Sequence, residues 1–382
     1  MDIIYLDNAA TSYPKPERVY RAMDDFNRHM GGNPGRGASR RTMTSNSILL
    51  ETREALASLF NIHDSARIAF CLNITEALNT GLKGILNPGD HVITTSMEHN
   101  AVARPLLALN QRGVEWSAVN CGPDGSLDPD DIRRSIRDNT RMICILHASN
   151  VTGTIMPIRE IGIIAKEHGL LFMVDSAQTA GLLPLDVAEY HIDLLAFTGH
   201  KGLLGPQGTG GLYVRPGIEI EPLKEGGTGS LSEELTQPQF MPDHLESGTP
   251  NTPGIAGLGA GVNFIRSTGL ENIRCHEKRL TDFLIHGLQE IDGVRVYGPL
   301  DADQRTAVVS FNIEGVDCGE VSMRLDYEHG IVTRSGLHCA PLAHRTIGTL
   351  HQGACRLSPG YFSTDMEIEK VIQAVDKIAR VR

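Results

Sequence analysis

"DLLAFTGHKGLLGPQGTGGLYV", Asp193 to Val214, starts and ends as β-strand and is polar or glycine-rich between. Leu194–Phe197 is an apolar run of strand length, and "GGLYV" is a second one. Between them Thr198, Gly199, His200 and Lys201 stand at the end of the first strand, followed by a glycine-rich loop. A lysine beside a hydroxyl and an imidazole, hemmed by glycines, is not in the setting of a solvated side chain. Partial desolvation lowers an amine pKa and makes the amine a nucleophile or a Schiff-base former. A lysine chosen at random sits in water, so this reading depends on what surrounds it.

Working outward, the segment from about Arg67 to Arg215 alternates short β-rich runs with amphipathic helices. The strands are "RIAFC", "HVITT", "VEWSAVN", "RMICILH", "LLFMVD", "DLLAF" and "GGLYV". Helical periodicity marks "ITEALNTGLKGIL", "NAVARPLLALNQRG" and "IREIGIIAKEHG". Such alternation predicts an α/β fold, a mostly parallel sheet with helices on both faces. Ligands in such sheets gather at the carboxyl ends of the strands. After the glycine-rich stretch from Gly226 to Gly261 the rhythm changes. One long helix is expected over Leu270–Ile291, then "VRVYG", "AVVSFNI", a helix near Gly319–Glu328, "GIVTR", "ACRLS" and a last helix opened by the capping box in "TDME". The expected organisation is a large domain over 28–262 and a smaller α+β domain built from 1–27 and 263–382.

The 382 residues are 41% hydrophobic and 21% charged, a globular balance, with a net charge of −11 and a pI near 5.7. No run of Lys/Arg exceeds two residues, which argues against nucleic acid and anionic membrane as partners. No apolar run reaches membrane-spanning length, and "MDIIYLDNAATS" has no signal-peptide pattern, so a cytoplasmic location is the expectation. The seven cysteines, at 71, 121, 144, 275, 318, 339 and 355, form no C-x-x-C pair. Neither a disulfide framework nor a metal site is expected, and most of these thiols read as small buried hydrophobes.

Upstream of the lysine, "LLFMVDSAQTAG" places Asp175 directly after a buried strand, 26 residues before Lys201. A carboxylate there must be paired or hydrogen-bonded. It serves either as a helix cap or as the partner of a protonated pyridine nitrogen. With "YLDNAATS", "MEHNAV", "SNVTGT", "VDSAQ", "GHK", "SGTPN", "RSGLHCA" and "ACRLSPGYFST" in this order, the chain resembles the cysteine desulfurase and selenocysteine lyase family. That family lies in the class V aminotransferase group of fold type I pyridoxal phosphate enzymes.

The resemblance implies pyridoxal 5'-phosphate held on Lys201 as a Schiff base. Asp175 would meet the pyridine nitrogen, Asn150 and Gln178 the phenolic oxygen, and His99 the ring face. The phosphate would meet Thr75, Thr198, His200 and the backbone at Ile74, where a helix N-terminus offers free N–H groups. Gly248 and Thr249 would reach it from a second copy in a homodimer. Arg356 would take the substrate carboxylate, supported by Arg334, and the arginines of "NPGRGASRR", Asn33–Arg41, would line the entrance. Asn73 stands where the family often has glycine; asparagine tolerates the left-handed conformation better than most residues, so a turn there can survive.

Within "IVTRSGLHCAPLAH", Ile331–His344, the resemblance makes Cys339 the thiolate that takes sulfur from L-cysteine as a persulfide, leaving alanine. Arg334, His338 and His344 are candidate cations for that thiolate. Sulfur would then pass to an acceptor protein or a small thiol. L-selenocysteine is the competing substrate. Another lyase or epimerase of the group, and a non-catalytic relay dimer, are the remaining alternatives.

Overall fold

A computed structural model describes residues 3–35, 37 and 39–381. In chain order the elements are β1 (Ile4–Tyr5), α1 (Glu17–Asp25), α2 (Arg40–Leu59), β2 (Ile68–Cys71), α3 (Ile74–Ile85), β3 (His91–Thr95), α4 (Asn100–Asn110), β4 (Glu115–Val119), α5 (Pro129–Arg134), β5 (Thr140–Leu146), α6 (Ile158–Glu167), β6 (Leu171–Asp175), β7 (Leu194–Thr198) and β8 (Gly210–Val214). There follow α7 (Thr252–Thr268), α8 (Leu270–Gln289), β9 (Val294–Tyr297), β10 (Val309–Ile313), α9 (Cys318–His329), β11 (Ile331–Val332), β12 (Arg334–Gly336), α10 (Pro341–Thr346), β13 (Ala354–Leu357) and α11 (Asp365–Arg380).

Seven strands form the large sheet in the order β2-β8-β7-β6-β5-β3-β4, with β8 alone reversed. The seven quoted strand segments are these strands, within a residue or two at each end. The inner strands β8, β7, β6, β5 and β3 are largely apolar because they are buried on both faces, whereas the edge strands β2 and β4 are partly exposed. Along β5, Ile143 and Ile145 enter one core with Phe172, Val174, Leu195 and Phe197. Met142 and Cys144 enter the other, with Met173, Leu194 and Leu212. Cys144 is thus a core side chain, as expected, but only Cys318 and Cys355 share its burial, so three of the seven thiols are buried rather than most of them. Strands β3, β5, β6 and β7 run parallel side by side, so the residues after them emerge along one edge of the sheet.

The tight hairpin from β7 to β8 depends on glycine: a Cβ on Gly199 would lie 2.1 Å from the Thr209 hydroxyl. A smaller antiparallel sheet, β12-β13-β10-β9, packs with α8, α9 and α11 around Leu284, Phe311, Val321, Leu357 and Val375. Strand β1 pairs in parallel with β11, which carries Ile4 and Leu6 into this same core. The capping box of α11 forms between Thr364 and Glu367 as its sequence predicts.

Two expectations need correction. The helix expected over 270–291 is α8, but part of the stretch read as a glycine-rich connection is a further helix, α7, separated from α8 by Gly269. Its glycines permit close packing: a Cβ on Gly259 would lie 2.4 Å from the Thr52 hydroxyl of α2. The expected boundary at 262 therefore falls inside α7, whose Leu258, Val262 and Ile265 belong to the large core. The second correction concerns Asn73, whose φ of −172° is extended rather than left-handed. Its side chain caps α3 by accepting from the Glu76 amide at 3.0 Å.

Candidate active site

Lys201 follows β7, and Asp175 ends the neighbouring strand β6, opposite Ala196. Burial first, then the Arg356 cation, pulls the Lys201 amine down to about 8. Burial pushes the Asp175 carboxyl upward, opposed by the Ala177 amide, which donates to it at 2.9 Å, and by the charge of Lys201. A cationic nitrogen facing Asp175 would restore its charged form.

His99 caps α4: its Nδ1 accepts from the Ala101 amide at 3.0 Å, which places the neutral-ring proton on Nε2. Burial and the nearby charge of Lys201 hold its pKa down at about 4, so the ring is neutral at physiological pH. A place at the ring face is compatible with that capping geometry.

On the far side of β5, Asn150 is buried. Its Nδ2 donates to the His338 carbonyl at 2.7 Å and its main-chain oxygen accepts from Arg356 Nη1 at 3.0 Å. Arg356 is 1% exposed and paired through Nη2 with Asp7 at 2.7 Å. Gln178 donates to the Ala9 carbonyl at 3.1 Å, and with Lys201 and Asn8 it lines a cavity. Three buried polar atoms around this group have no partner among the described residues: Asn150 Oδ1, His200 Nδ1 and Arg356 Nε.

The anion-binding residues lie at the next strand ends. Residue Gly210 bridges Cys71 of β2 and Thr198 of β7, and a Cβ on it would touch Asn73 at 3.0 Å. The start of α3 therefore abuts Thr198, and its first amides, at Ile74 and Thr75, have no intrahelical acceptor. Thr198 reaches the Thr209 carbonyl only at 3.4 Å. His200 is held near 4 by burial and by Lys201 and Lys15, so it too is neutral.

Gly248 and Thr249 are not bonded to the Lys201 group. They line an outer cleft with Leu72, Glu76 and Gly208, and a second one with Asn33, Pro34 and Gly35. The Asn33–Arg41 stretch thus reaches an outer cleft at its first three residues; Arg36 and Ala38 lie outside the described residues.

Cys339 is exposed, with Arg334 Nη2 3.7 Å from its sulfur. His338 and His344 do not act as cations. Burial holds them down at about 3 and 4, and they hydrogen-bond to each other at 3.2 Å, with His344 also bonded to Thr349. Their burial was not legible in the sequence, which offered them as candidate cations. Asp7 was also missed as a site residue, although it lies in the quoted "YLDNAATS"; only the pairing of β1 with β11 brings it to Arg356.

Comparison with known proteins matches this arrangement. The model of the family "Aminotransferase class-V" covers residues 4–371. A protein of Methanothermobacter thermautotrophicus named "Probable cysteine desulfurase" is 37% identical over 385 residues, 99% of this chain and 95% of that one. An apo cysteine desulfurase structure from Thermococcus onnurineus NA1 superposes with a TM-score of 0.94 at 33% identity, covering 100% of this chain and 95% of that one. The Escherichia coli cysteine desulfurase CsdA, solved as its S-sulfonic acid, has a TM-score of 0.89 at 28% identity over 99% and 95% of the two chains. With the strand-end lysine and aspartate on a mostly parallel sheet, these matches place the chain in the aminotransferase class-V family, among its cysteine desulfurases.

Proposed function

We propose that this desulfurase holds pyridoxal 5'-phosphate on Lys201 and takes the sulfur of L-cysteine onto Cys339. One juxtaposition carries the reading. A buried amine brought to about 8 and a buried carboxylate end adjacent strands, while the small domain presents an exposed thiol beside a guanidinium. The residues fit the cofactor's polar groups. Asp175 suits a protonated pyridine nitrogen. The Asn150 amide suits an anionic phenolic oxygen. The α3 amides, Thr198 and the unpartnered His200 Nδ1 suit a phosphate. Gly248 and Thr249 of a second copy complete the phosphate site in a homodimer.

Bound there, the group supplies an electron sink for the bond-breaking at the substrate Cα. Arg356 binds the substrate carboxylate, held in place by Asp7 and the Asn150 carbonyl. Lys201 Nζ takes the Cα proton, for which an amine near 8 is well matched at neutral pH. His99, neutral and with its proton on Nε2, covers the ring face without adding charge. The Cys339 thiolate attacks the substrate sulfur. A sulfur–sulfur bond forms, the carbon–sulfur bond breaks, and its electron pair stays with the carbon fragment, which gains a proton and leaves as alanine. Arg334 gives the thiolate a charge partner. An acceptor protein or a small thiol then removes the sulfur.

Mass spectrometry after treatment with L-cysteine tests this. One added sulfur is expected on the peptide containing Cys339 and none on that containing Cys275. Sulfur on Cys275 alone, or on neither, contradicts the reading.

A further inference from the structure

The backbone that presents Cys339 is unusual. His338 and Cys339 are consecutive non-glycine residues with positive φ, +49° and +58°. Side chains disfavour this region, so such a pair persists only where neighbours hold it. Two ties do so. The Asn100 amide at the start of α4 donates to the Cys339 carbonyl at 2.8 Å. Asn150 Nδ2 donates to the His338 carbonyl at 2.7 Å.

The second tie differs in kind from the first. Asn100 belongs to a helix end, whereas Asn150 stands at the centre of the site. Its main-chain oxygen fixes Arg356, and its side chain is buried with Oδ1 unpartnered. Because a carbonyl can only accept, the amide must turn its NH2 toward His338, leaving one N–H of the same group for a second acceptor. An anionic oxygen bound there immobilises the amide and so tightens its grip on the loop.

We propose that Asn150 is a positioning residue for the sulfur-accepting thiol. Through the His338 carbonyl it clamps the left-handed turn that presents Cys339, and ligand engagement at its amide is transmitted to that turn. This rests on the cofactor reading given above, although the clamp itself does not require it.

Hydrogen exchange measured by mass spectrometry separates the two. Peptides spanning 336–343 are followed in wild type, Asn150→Ala and Asn150→Asp, each with and without pyridoxal 5'-phosphate. Asn150→Asp keeps the side-chain size and loses the donor, so it serves where Asn150→Ala disturbs exchange elsewhere, as judged from α11. Without the cofactor, both variants should exchange about two- to tenfold faster in this loop than wild type, the loss of one net hydrogen bond. With it, the wild-type loop should slow and the variants should not respond. Equal loop exchange in wild type and variants overturns the clamp. Equal slowing on cofactor addition in wild type and variants overturns the transmission. A wild type that takes up no cofactor refutes the cofactor reading and transmission with it, while the comparison without cofactor still decides the clamp.

Discussion

Cys275 and Cys339 are the two exposed thiols of the described chain, and their surroundings are opposite. Cys275 sits inside the long helix α8, where its sulfur hydrogen-bonds the Glu271 carboxylate one turn earlier at 3.3 Å. That contact pushes its pKa up, toward the unreactive thiol. Cys339 lies on a left-handed turn between β12 and α10, with the Arg334 guanidinium at its sulfur. Thiols away from the surface form a third group: burial drives half-buried Cys121 to about 11 and buried Cys355 to about 12. The two exposed thiols thus differ in the sign of the neighbouring charge and in the backbone that carries the sulfur.

The comparison can be broken or sharpened by experiment. The largest effect belongs to Lys201→Ala, which removes the amine that starts the reaction. Alanine formation from L-cysteine should fall by on the order of a thousandfold; a residual rate within tenfold would remove Lys201 from the mechanism. Cys339→Ala should cost about a hundredfold on L-cysteine, while Cys275→Ala should stay within about twofold. Equal losses would erase the distinction between the two thiols.

Asp7→Asn tests the support behind Arg356. Losing a charged partner should raise KM for L-cysteine by about ten- to hundredfold, with kcat changed less. A fall in kcat at constant KM would show that Asp7 does not act through substrate binding. The Lys201 amine gives a pH signature. Its pKa is lowered to about 8, so its neutral fraction grows as pH rises through that value. Uptake of pyridoxal 5'-phosphate by apo-protein, followed by absorbance, should quicken by about tenfold between pH 7 and 9 and then level off; a flat profile would place the titration elsewhere. The smallest effect is expected far from both thiols. Thr364→Ala opens the capping box of α11 and should cost about 1 kcal/mol of stability in denaturant titration without altering turnover.

Much of this was legible before the structure. Strand periodicity located all seven strands of the large sheet, the inner ones because strands buried on both faces are largely apolar. Lys201 stood out by its immediate neighbours, Asp175 by its place after a buried strand 26 residues before that lysine, and Cys339 through the family resemblance. What escaped was set by packing. Helix α7 was hidden because Gly254, Gly257, Gly259 and Gly261 argue locally against a helix, whereas contact with Thr52 and the large core requires small residues there. Asn73 read as a turn residue, yet a helix-capping hydrogen bond fixed it as extended. The imidazoles of His338 and His344 read as cations and proved neutral, since burial is a property of the fold and not of spacing. Asp7 could be found only through a contact spanning 349 positions.

That contact has a consequence for how the molecule is made. The strand Ile4–Tyr5 and the carboxylate of Asp7 leave the ribosome long before their partners, Ile331, Val332 and Arg356. The large sheet, which lies between them in the chain, can assemble from local strand–helix units while Ile4–Asp7 wait unpaired. The carboxylate paired with Arg356 is therefore translated before the large sheet and seated after it.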